Sequence, residues 1–173
     1  MLQSVLALVF VLHQTSPGSQ IVVERSRVGT VSIGATAESV YREFDDRARL
    51  VDLRLEGMLS PALELKLFDA QPVASLIAEI GASGNRLVVT RIVVVDPTLR
   101  TREGIGVGST YGELRSKYTV DWVGSGEGNV FARVEAMGIS FQLDTSGPTR
   151  LSSIRDPSKV PIDTRIVSML LTR

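Results

Sequence analysis

The sequence contains no cysteine and a single histidine, His13, and these two shortages exclude several kinds of chemistry. Without cysteine the chain forms no disulfide, holds no metal through thiolates and offers no cysteine nucleophile. His13 lies in the apolar N-terminal segment, so a chain that has lost this segment contains neither residue. We therefore expect no structural metal, no haem and no bound cofactor.

The chain also lacks an excess of charge, with 19 basic and 19 acidic side chains among its 173 residues. A neutral chain has no overall field that attracts nucleic acid, so we expect no nucleic-acid partner. The apolar run at residues 6–12 is far shorter than the roughly 20 residues that span a bilayer. We expect no integral membrane segment in the mature chain.

Residues 1–20 contain no charged side chain and are typical of a signal peptide followed by a short linker. Their apolar block precedes small residues, and Ser16 and Gly18 fit a cleavage after Gly18. The sequence thus predicts a periplasmic or secreted protein. A cytoplasmic protein that keeps this segment as a buried strand or helix is the alternative. No cysteine follows the block, so we expect no lipid anchor.

Alternating apolar and charged residues predict a first antiparallel hairpin. Residues 51–56 alternate without interruption, and residues 63–67 resume the pattern after a connection that contains glycine, serine and proline. We expect Val51, Leu53 and Leu55 to lie on the buried face of this pair.

The second half of the chain shows a similar pattern. Residues 130–135 and 139–143 alternate on either side of Gly138, which predicts a hairpin with a tight glycine turn. Three further strands are predicted, at residues 73–80, where a helical face also fits, and at residues 87–95 and 165–171.

Two short helices are predicted, each beginning after a glycine, a small residue and a threonine. Thr36 and Thr110 are suitable N-caps, and Glu113 stands at the capping-box spacing from Thr110. Because Gly34 and Thr36 recur 74 residues later as Gly108 and Thr110, we predict a duplicated β-α-β-β(-β) unit. The fold class is then α+β, a mostly antiparallel sheet with short helices on one face. The domain covers residues 21–173, with units at about 27–103 and 104–173.

The segment R-T-R-E-G-I-G-V-G-S-T at residues 100–110 resembles a motif of uncharacterised exported bacterial proteins. In those proteins a strand ending in Asp-Pro or Ser-Pro leads through R-T-x-E-G-I-x-V-G-S-T into a short helix. The Gly-small-Thr-x-x-Glu-Leu core is also similar to the repeat unit of β-lactamase inhibitory protein and of small outer-membrane assembly lipoproteins. The resemblance implies an exported protein with a repeated α+β architecture. This chain lacks the cysteines that anchor those lipoproteins and form the inhibitor's disulfides.

Two other motifs have simpler interpretations. A phosphate-binding loop needs a lysine where this chain has Ser109, so the glycines from Gly104 onward indicate a tight turn into a capped helix. An anion at the helix start near Thr110 is the alternative. Asp45 and Asp46 lack the spacing of a calcium loop and indicate a solvated helix end.

Core packing is the first interpretation of the aromatic residues concentrated in the second half, and an aromatic anchor on a binding surface is the alternative. A glycine-rich loop at residues 124–129 is placed to move on binding, and a nearby arginine pair could clamp a carboxylate. The candidate interaction surface consists of Tyr111, Trp122, Glu127, Phe131, Arg100 and Arg102.

These observations favour a non-catalytic exported protein that binds another protein of the cell envelope. A small-ligand binding module with a pocket between helices and sheet is the alternative. We do not expect an enzyme, because nucleophilic catalysis without histidine and cysteine would depend on lysine or carboxylates. A pair of carboxylates of the glycosidase type is the remaining catalytic possibility, and no motif points to it.

Overall fold

The computed structural model describes residues 21–55, 57–69, 71–147 and 151–173, and the predicted signal peptide lies outside them. Within these ranges two α-helices and a small sheet pack against an eight-stranded antiparallel sheet. The elements are β1 (Val22–Glu24), β2 (Arg27–Val28), β3 (Val31–Ser32), α1 (Ala37–Phe44), β4 (Ala48–Leu55), β5 (Met58–Leu65), β6 (Leu76–Ser83), β7 (Arg86–Val94), β8 (Arg100–Thr101), α2 (Tyr111–Lys117), β9 (Trp122–Gly126), β10 (Asn129–Val134), β11 (Ile139–Leu143) and β12 (Ile166–Leu171).

The large sheet has the strand order β4-β5-β6-β7-β12-β11-β10-β9. Each half of the chain contributes four consecutive strands, and the two halves meet where β7 pairs with β12. The small sheet has the order β3-β2-β1-β8, and its only parallel pair in the described chain joins β1 to β8. The α+β class is therefore confirmed, with the sheet dominating the fold.

One face of the large sheet forms the floor of the core. Residues that are directly opposite one another on seven neighbouring strands are all buried, which is the pattern expected when alternate residues of every strand face inward. Burying one such aliphatic or aromatic side chain stabilises the fold by about 1.5–3 kcal/mol. The row consists of Leu65, Leu76, Val94, Met169, Phe141, Ala132 and Val123.

Both helices and the small sheet cover this inner face. The helix α1 buries Val40 and Phe44, and α2 buries Tyr111 and Leu114. These side chains and the valines of the small sheet belong to the same apolar cluster as the inner-face row. The opposite side of the large sheet is called the outer face below.

The first helix start is fixed by a set of backbone hydrogen bonds to β7. Gly34 has φ +92°, a conformation that favours glycine, and its N–H donates to the carbonyl of Val89 at 2.8 Å. The N–H of Val89 donates in return to Ala35 at 2.9 Å. Thr36 then caps α1 by accepting from the N–H of Ser39.

The second helix start repeats this arrangement on β12. Gly108 has φ +88° and donates to the carbonyl of Ile166 at 2.8 Å, and Ile166 donates to Ser109 at 2.8 Å. Thr110 caps α2 and completes the predicted capping box with Glu113.

The strand ladders show a matching regularity around one central pair, Val93 and Leu170. Val93 is opposite Ile77 in β6, and Leu170 is opposite Ser140 in β11. In both ladders the register shifts two residues beyond these positions. The extra residue is Thr90 of β7 in one half and Val167 of β12 in the other, so a bulge occurs at the same place in each half.

Most predicted strands are confirmed. Residues 73–80, for which helix and strand both fitted, contribute to strand β6. The turn between β10 and β11 contains Gly138 in the left-handed conformation, with φ +63°. The patterns here are long and bounded by turn residues, which is why they identify the elements correctly.

The predicted orientation of the first hairpin is wrong. Val51 is opposite Ala62, so Val51 and Leu53 lie half-buried on the outer face, whereas Leu63 and Leu65 face the core. The turn is tighter than expected, since β5 already begins at Met58, and the register follows from the turn. The alternating pattern specifies two faces of a strand but not which face is covered.

Candidate interaction surface

The outer face of the large sheet contains an apolar centre between polar ends. Ile77, Val93 and Leu170 are half-buried and directly opposite one another at the middle of the sheet. Charged and polar residues continue the same row towards both edges. From β4 to β9 the row is Arg49, Glu64, Ile77, Val93, Leu170, Ser140, Arg133 and Trp122.

Trp122 ends this row at the β9 edge, where it is 43% exposed. Its ring lies on Gly124, because a Cβ added at Gly124 would be 2.1 Å from Cζ2 of the indole. Phe131 is directly opposite Gly124 on β10 and is half-buried. The absence of a side chain at Gly124 thus allows the indole to lie flat on the outer face beside Phe131.

Glu127 holds the turn between β9 and β10 against β7. Its carboxylate accepts from Nη1 of Arg91 at 2.9 Å, and Nε of Arg91 lies 3.3 Å from the carboxylate of Glu79. Glu79 is almost fully buried, and this burial raises its pKa although the guanidinium of Arg91 acts in the opposite direction.

The loop predicted at residues 124–129 is therefore much shorter than expected. Strand β9 continues to Gly126, and Glu127 and Gly128 alone separate it from β10. Because Glu127 is paired with Arg91, the turn has a defined position on the outer face.

Side-chain hydrogen bonds fix the polar part of the outer face. The amide of Gln142 donates to Asn129 at 2.9 Å and accepts from Ser168 at 2.7 Å. Arg133 donates to the hydroxyls of Ser140 and Thr172 at 3.3 and 3.2 Å. In the described part of the chain no buried polar side-chain atom lacks a partner. These hydrogen bonds give the polar side chains of Gln142 and Arg133 defined positions on the outer face.

Tyr111 does not belong to any surface, which corrects the prediction. It is fully buried in the core, and its hydroxyl donates to the carbonyl of Pro157 at 2.8 Å. Burial raises the pKa of this phenol. Core packing, the first interpretation of the aromatic residues, is correct at this position.

Arg100 lies in β8 of the small sheet and Arg102 in the turn that follows it. Arg100 donates to the hydroxyl of Ser109 at 2.9 Å and packs on Gly106, so it supports the turn before α2. Arg102 is exposed. Of the six predicted surface residues, the structure brings together Trp122, Glu127 and Phe131 only.

The start of α2 does not present free N–H groups to an external anion. The carboxylate of Glu113 accepts from the N–H of Thr110 at 2.7 Å, and this bond lowers the pKa of Glu113. The alternative of an anion site near Thr110 is therefore disfavoured by the chain's own carboxylate.

No sequence motif pointed to Ile77, Val93, Leu170 or the Glu79–Arg91 pair. The available signal was the nearly continuous apolar run at residues 87–95, which is typical of a strand with both faces partly covered. That run indicated a covered outer face but not the residues of the neighbouring strands.

Among the surface clefts formed by the described residues, two have volumes of about 260 and 540 Å³, and neither of these is lined by a residue of α1 or α2. The larger one lies at the β4 edge and is lined by charged residues that include Arg47, Glu64 and Lys66. Among the described residues, no group of three or more acidic, histidine or cysteine side chains could hold a metal ion. In the same part of the chain, neither helix has the length and apolar character needed to cross a bilayer.

No protein-family model and no curated protein matches this chain. Among solved structures, the crystal structure of the uncharacterized protein yfeY from Escherichia coli is similar, with a TM-score of 0.58. The two chains are 12% identical, and the match covers 90% of this chain and 100% of that one. The similarity concerns the fold alone.

Proposed function

We propose that this chain is an exported, non-catalytic protein whose outer sheet face binds another protein of the cell envelope. The observation that carries the proposal is Trp122, which lies flat and 43% exposed at the end of a row with an apolar centre. Aromatic residues and arginine are enriched at the centres of protein interfaces, and tryptophan is prominent among residues whose truncation weakens binding most.

The rigidity of the outer face supports this role. Glu127 is paired with Arg91, and Arg133 with two hydroxyl groups, so few side chains remain to be ordered on binding. Interfaces formed from ordered side chains lose less conformational entropy, which increases affinity for a given contact area.

We also propose that residues 27–103 and 104–173 are two related units within one domain at 21–173. The supporting observations are the equivalent hydrogen bonds at Gly34 and Gly108, and the equivalent bulges of β7 and β12. In each unit the helix is followed by four consecutive strands of the large sheet, whereas the sequence predicted two or three strands after the helix. The resemblance of residues 100–110 to exported bacterial proteins agrees with this organisation.

Export is supported by the charge-free N-terminal segment alone. We expect the natively produced protein to lack residues 1 to about 18, and intact-mass measurement of the periplasmic or secreted protein tests this. A chain that retains Met1 and is isolated from the cytoplasm would contradict export and leave the binding role to be tested separately.

A small-ligand binding module remains the second candidate, and one observation favours it. The cleft of about 540 Å³ at the β4 edge is lined by three cationic side chains, Arg47, Arg49 and Lys66, and two carboxylates, Asp46 and Glu64, and this excess of one positive charge suits an acidic ligand. Its position at the sheet edge differs from the expected pocket between helices and sheet. A binding partner that is lost in Lys66→Glu and retained in Trp122→Ala would favour this candidate.

Site-specific photo-crosslinking in cells tests the proposed protein interface. A benzophenone amino acid at Phe131 should form an adduct of one defined mass, whereas the same group at Tyr41 on α1, which is 50% exposed, should not. Trp122→Ala should reduce the adduct at Phe131 at least tenfold if Trp122 contributes about 1.4 kcal/mol or more to binding. Equal crosslinking from both positions, or none from Phe131, would contradict the proposal.

A further inference from the structure

Strand β4 forms one edge of the large sheet and pairs with β5 alone among the described strands. It is eight residues long, contains neither proline nor lysine, and its pairing with β5 shows no register shift. Prolines, lysines and bulges are the usual devices that protect an edge from pairing with another chain. A regular edge of this length is therefore available for strand pairing.

The pairing of β4 with β5 shows which backbone N–H and carbonyl groups of β4 point to the open edge. Asp52 is opposite Pro61, which has no N–H and cannot donate to β4. Asp52 is consequently in a non-hydrogen-bonded pair, and its own N–H and carbonyl point to the open edge. Because this alternates along a strand, Leu50 and Arg54 direct their backbone groups outward as well.

Three large apolar side chains are exposed along this hairpin. Leu50, in the first half of β4 opposite Leu63, is 64% exposed, and Met58 and Leu59, which begin β5 beside the turn, are 70% and 65% exposed. Exposed side chains of this size next to an unpaired edge suit a surface that is covered by a partner strand.

We infer that β4 pairs with the β4 strand of a second copy of this chain, antiparallel and centred on Leu53. In this register Asp52 of each copy is opposite Arg54 of the other, which gives two oppositely charged pairs. Leu53 is opposite its own counterpart, and Val51 is opposite Leu55. Both charged pairs also fall at positions whose backbone groups point outward, so the ladder hydrogen bonds form there.

The neighbouring registers are less favourable. A pairing centred on Asp52 places two carboxylates directly opposite each other. A pairing centred on Val51 places Asp52 opposite Leu50, and Arg49 opposite Leu53. Like charges in direct opposition destabilise a strand pair, and a charge opposite an aliphatic residue forms no ion pair. Charge complementarity thus selects the register centred on Leu53 and makes a second copy the matching partner.

Sedimentation velocity of the full untagged chain over a range of concentrations tests this pairing. We expect a dimer of about twice 18.7 kDa, or twice the mass of the processed chain. Asp52→Arg and Arg54→Asp should each weaken the dimer at least tenfold, because each places like charges opposite one another at two positions. The double variant Asp52→Arg/Arg54→Asp should dimerise again, and an equimolar mixture of the two single variants should form a mixed dimer.

Control variants distinguish dimerisation through β4 from binding through the outer face and from pairing of β4 with the N-terminal segment. Trp122→Ala should leave the dimer intact, and urea unfolding should show that each variant is folded. A monomeric full chain, or a dimer insensitive to Asp52→Arg, would overturn the inference. So would folded single variants that the double substitution does not rescue. A monomer that dimerises only after removal of residues 1–20 would assign the edge to that segment and overturn the inference as well.

Discussion

Thr36 and Thr110 occupy equivalent positions relative to the last strand of their own half of the chain. Thr36 forms an isolated antiparallel bridge with Val88, and Thr110 forms one with Arg165. The residue that follows each bridge partner, Val89 or Ile166, exchanges backbone hydrogen bonds with the two residues before the threonine. The residues before each threonine are therefore tied to the sheet in the same way. The start of α2 has further bonds, since Tyr111 and Gly112 donate to the carbonyls of Thr164 and Ile162 and Glu113 completes a capping box with Thr110.

This difference leads to a prediction about the two caps. Thr36→Ala and Thr110→Ala should each lower the free energy of unfolding by about 0.5–2 kcal/mol. The loss at Thr110 should be the larger, since Glu113 also loses the threonine hydroxyl. Urea unfolding at neutral pH measures both.

Acid pH provides the control for the capping box. The hydrogen bond from the N–H of Thr110 lowers the pKa of Glu113. The stabilisation from the Glu113 carboxylate is therefore present above the ordinary carboxyl pKa, and it is lost as the pH falls through the lowered pKa. The excess cost at Thr110 should therefore shrink in acid. Equal costs at neutral pH would show that the capping box adds no stability.

Gly106 is required for close packing rather than for its backbone conformation. A Cβ at this position would lie 2.5 Å from the carbonyl oxygen of Leu99 and 2.7 Å from Cδ of Arg100. Gly106→Ala should destabilise the fold by about 1–3 kcal/mol, because the nearest atom belongs to the backbone. The matched control is Gly147→Ala, where a Cβ would meet nothing within 4 Å, and its urea midpoint should stay the same or rise slightly. Similar midpoints for both variants would contradict this packing.

Gly124 determines the position of the indole on the outer face. Gly124→Ala should displace the ring of Trp122, since the new Cβ would lie 2.1 Å from it. Trp122 is the only tryptophan of the chain, so its fluorescence emission reports the displacement directly. We expect emission at longer wavelength in Gly124→Ala and no change in Gly126→Ala, where a Cβ meets nothing within 4 Å. Identical spectra for both variants would place the indole elsewhere.

The sequence identified the strands of the sheet better than it identified their faces. Apolar alternation located the hairpin around Gly138 and its inward residues correctly, because both of its strands are covered by the core on one face only. The same pattern misplaced Val51 and Leu53, since β4 is an edge strand whose apolar residues lie half-buried on the outer face. Position in the sheet decides burial, and local periodicity contains no information about it.

The candidate site was predictable only where it depends on neighbours along the chain. Trp122 and Phe131 were selected from the sequence and lie close together because β9 and β10 form a hairpin. The pairing of Arg91 with Glu127 joins residues 36 positions apart and depends on how the sheet brings the β9–β10 turn to β7. Tyr111 was misplaced because an aromatic residue near a helix start fits either a core or a surface.

The pH dependence of stability should reveal the buried carboxylate of Glu79. Burial raises its pKa above the ordinary value of 4.5, so the folded chain binds more protons than the unfolded chain just above that value. The contribution of Glu79 to the free energy of unfolding is thus fully present below the ordinary pKa, and it declines as the pH rises through the raised pKa. Glu79→Gln should remove this decline, and urea unfolding across the acid range measures it. Parallel profiles for the two proteins would mean that Glu79 titrates normally.

Arg91→Met supplies the complementary test, because it removes the cation from between Glu79 and Glu127. At neutral pH the buried carboxylate of Glu79 then loses its charged partner, and we expect a loss of about 1–3 kcal/mol. In acid, where Glu79 is protonated, the loss should be smaller. Glu127→Gln is the matched control: it leaves the ion pair with Glu79 intact and should cost about 1 kcal/mol or less, since Glu127 is partly exposed. A cost for Arg91→Met that is the same at all pH values would show that Arg91 acts through packing and not through its charge.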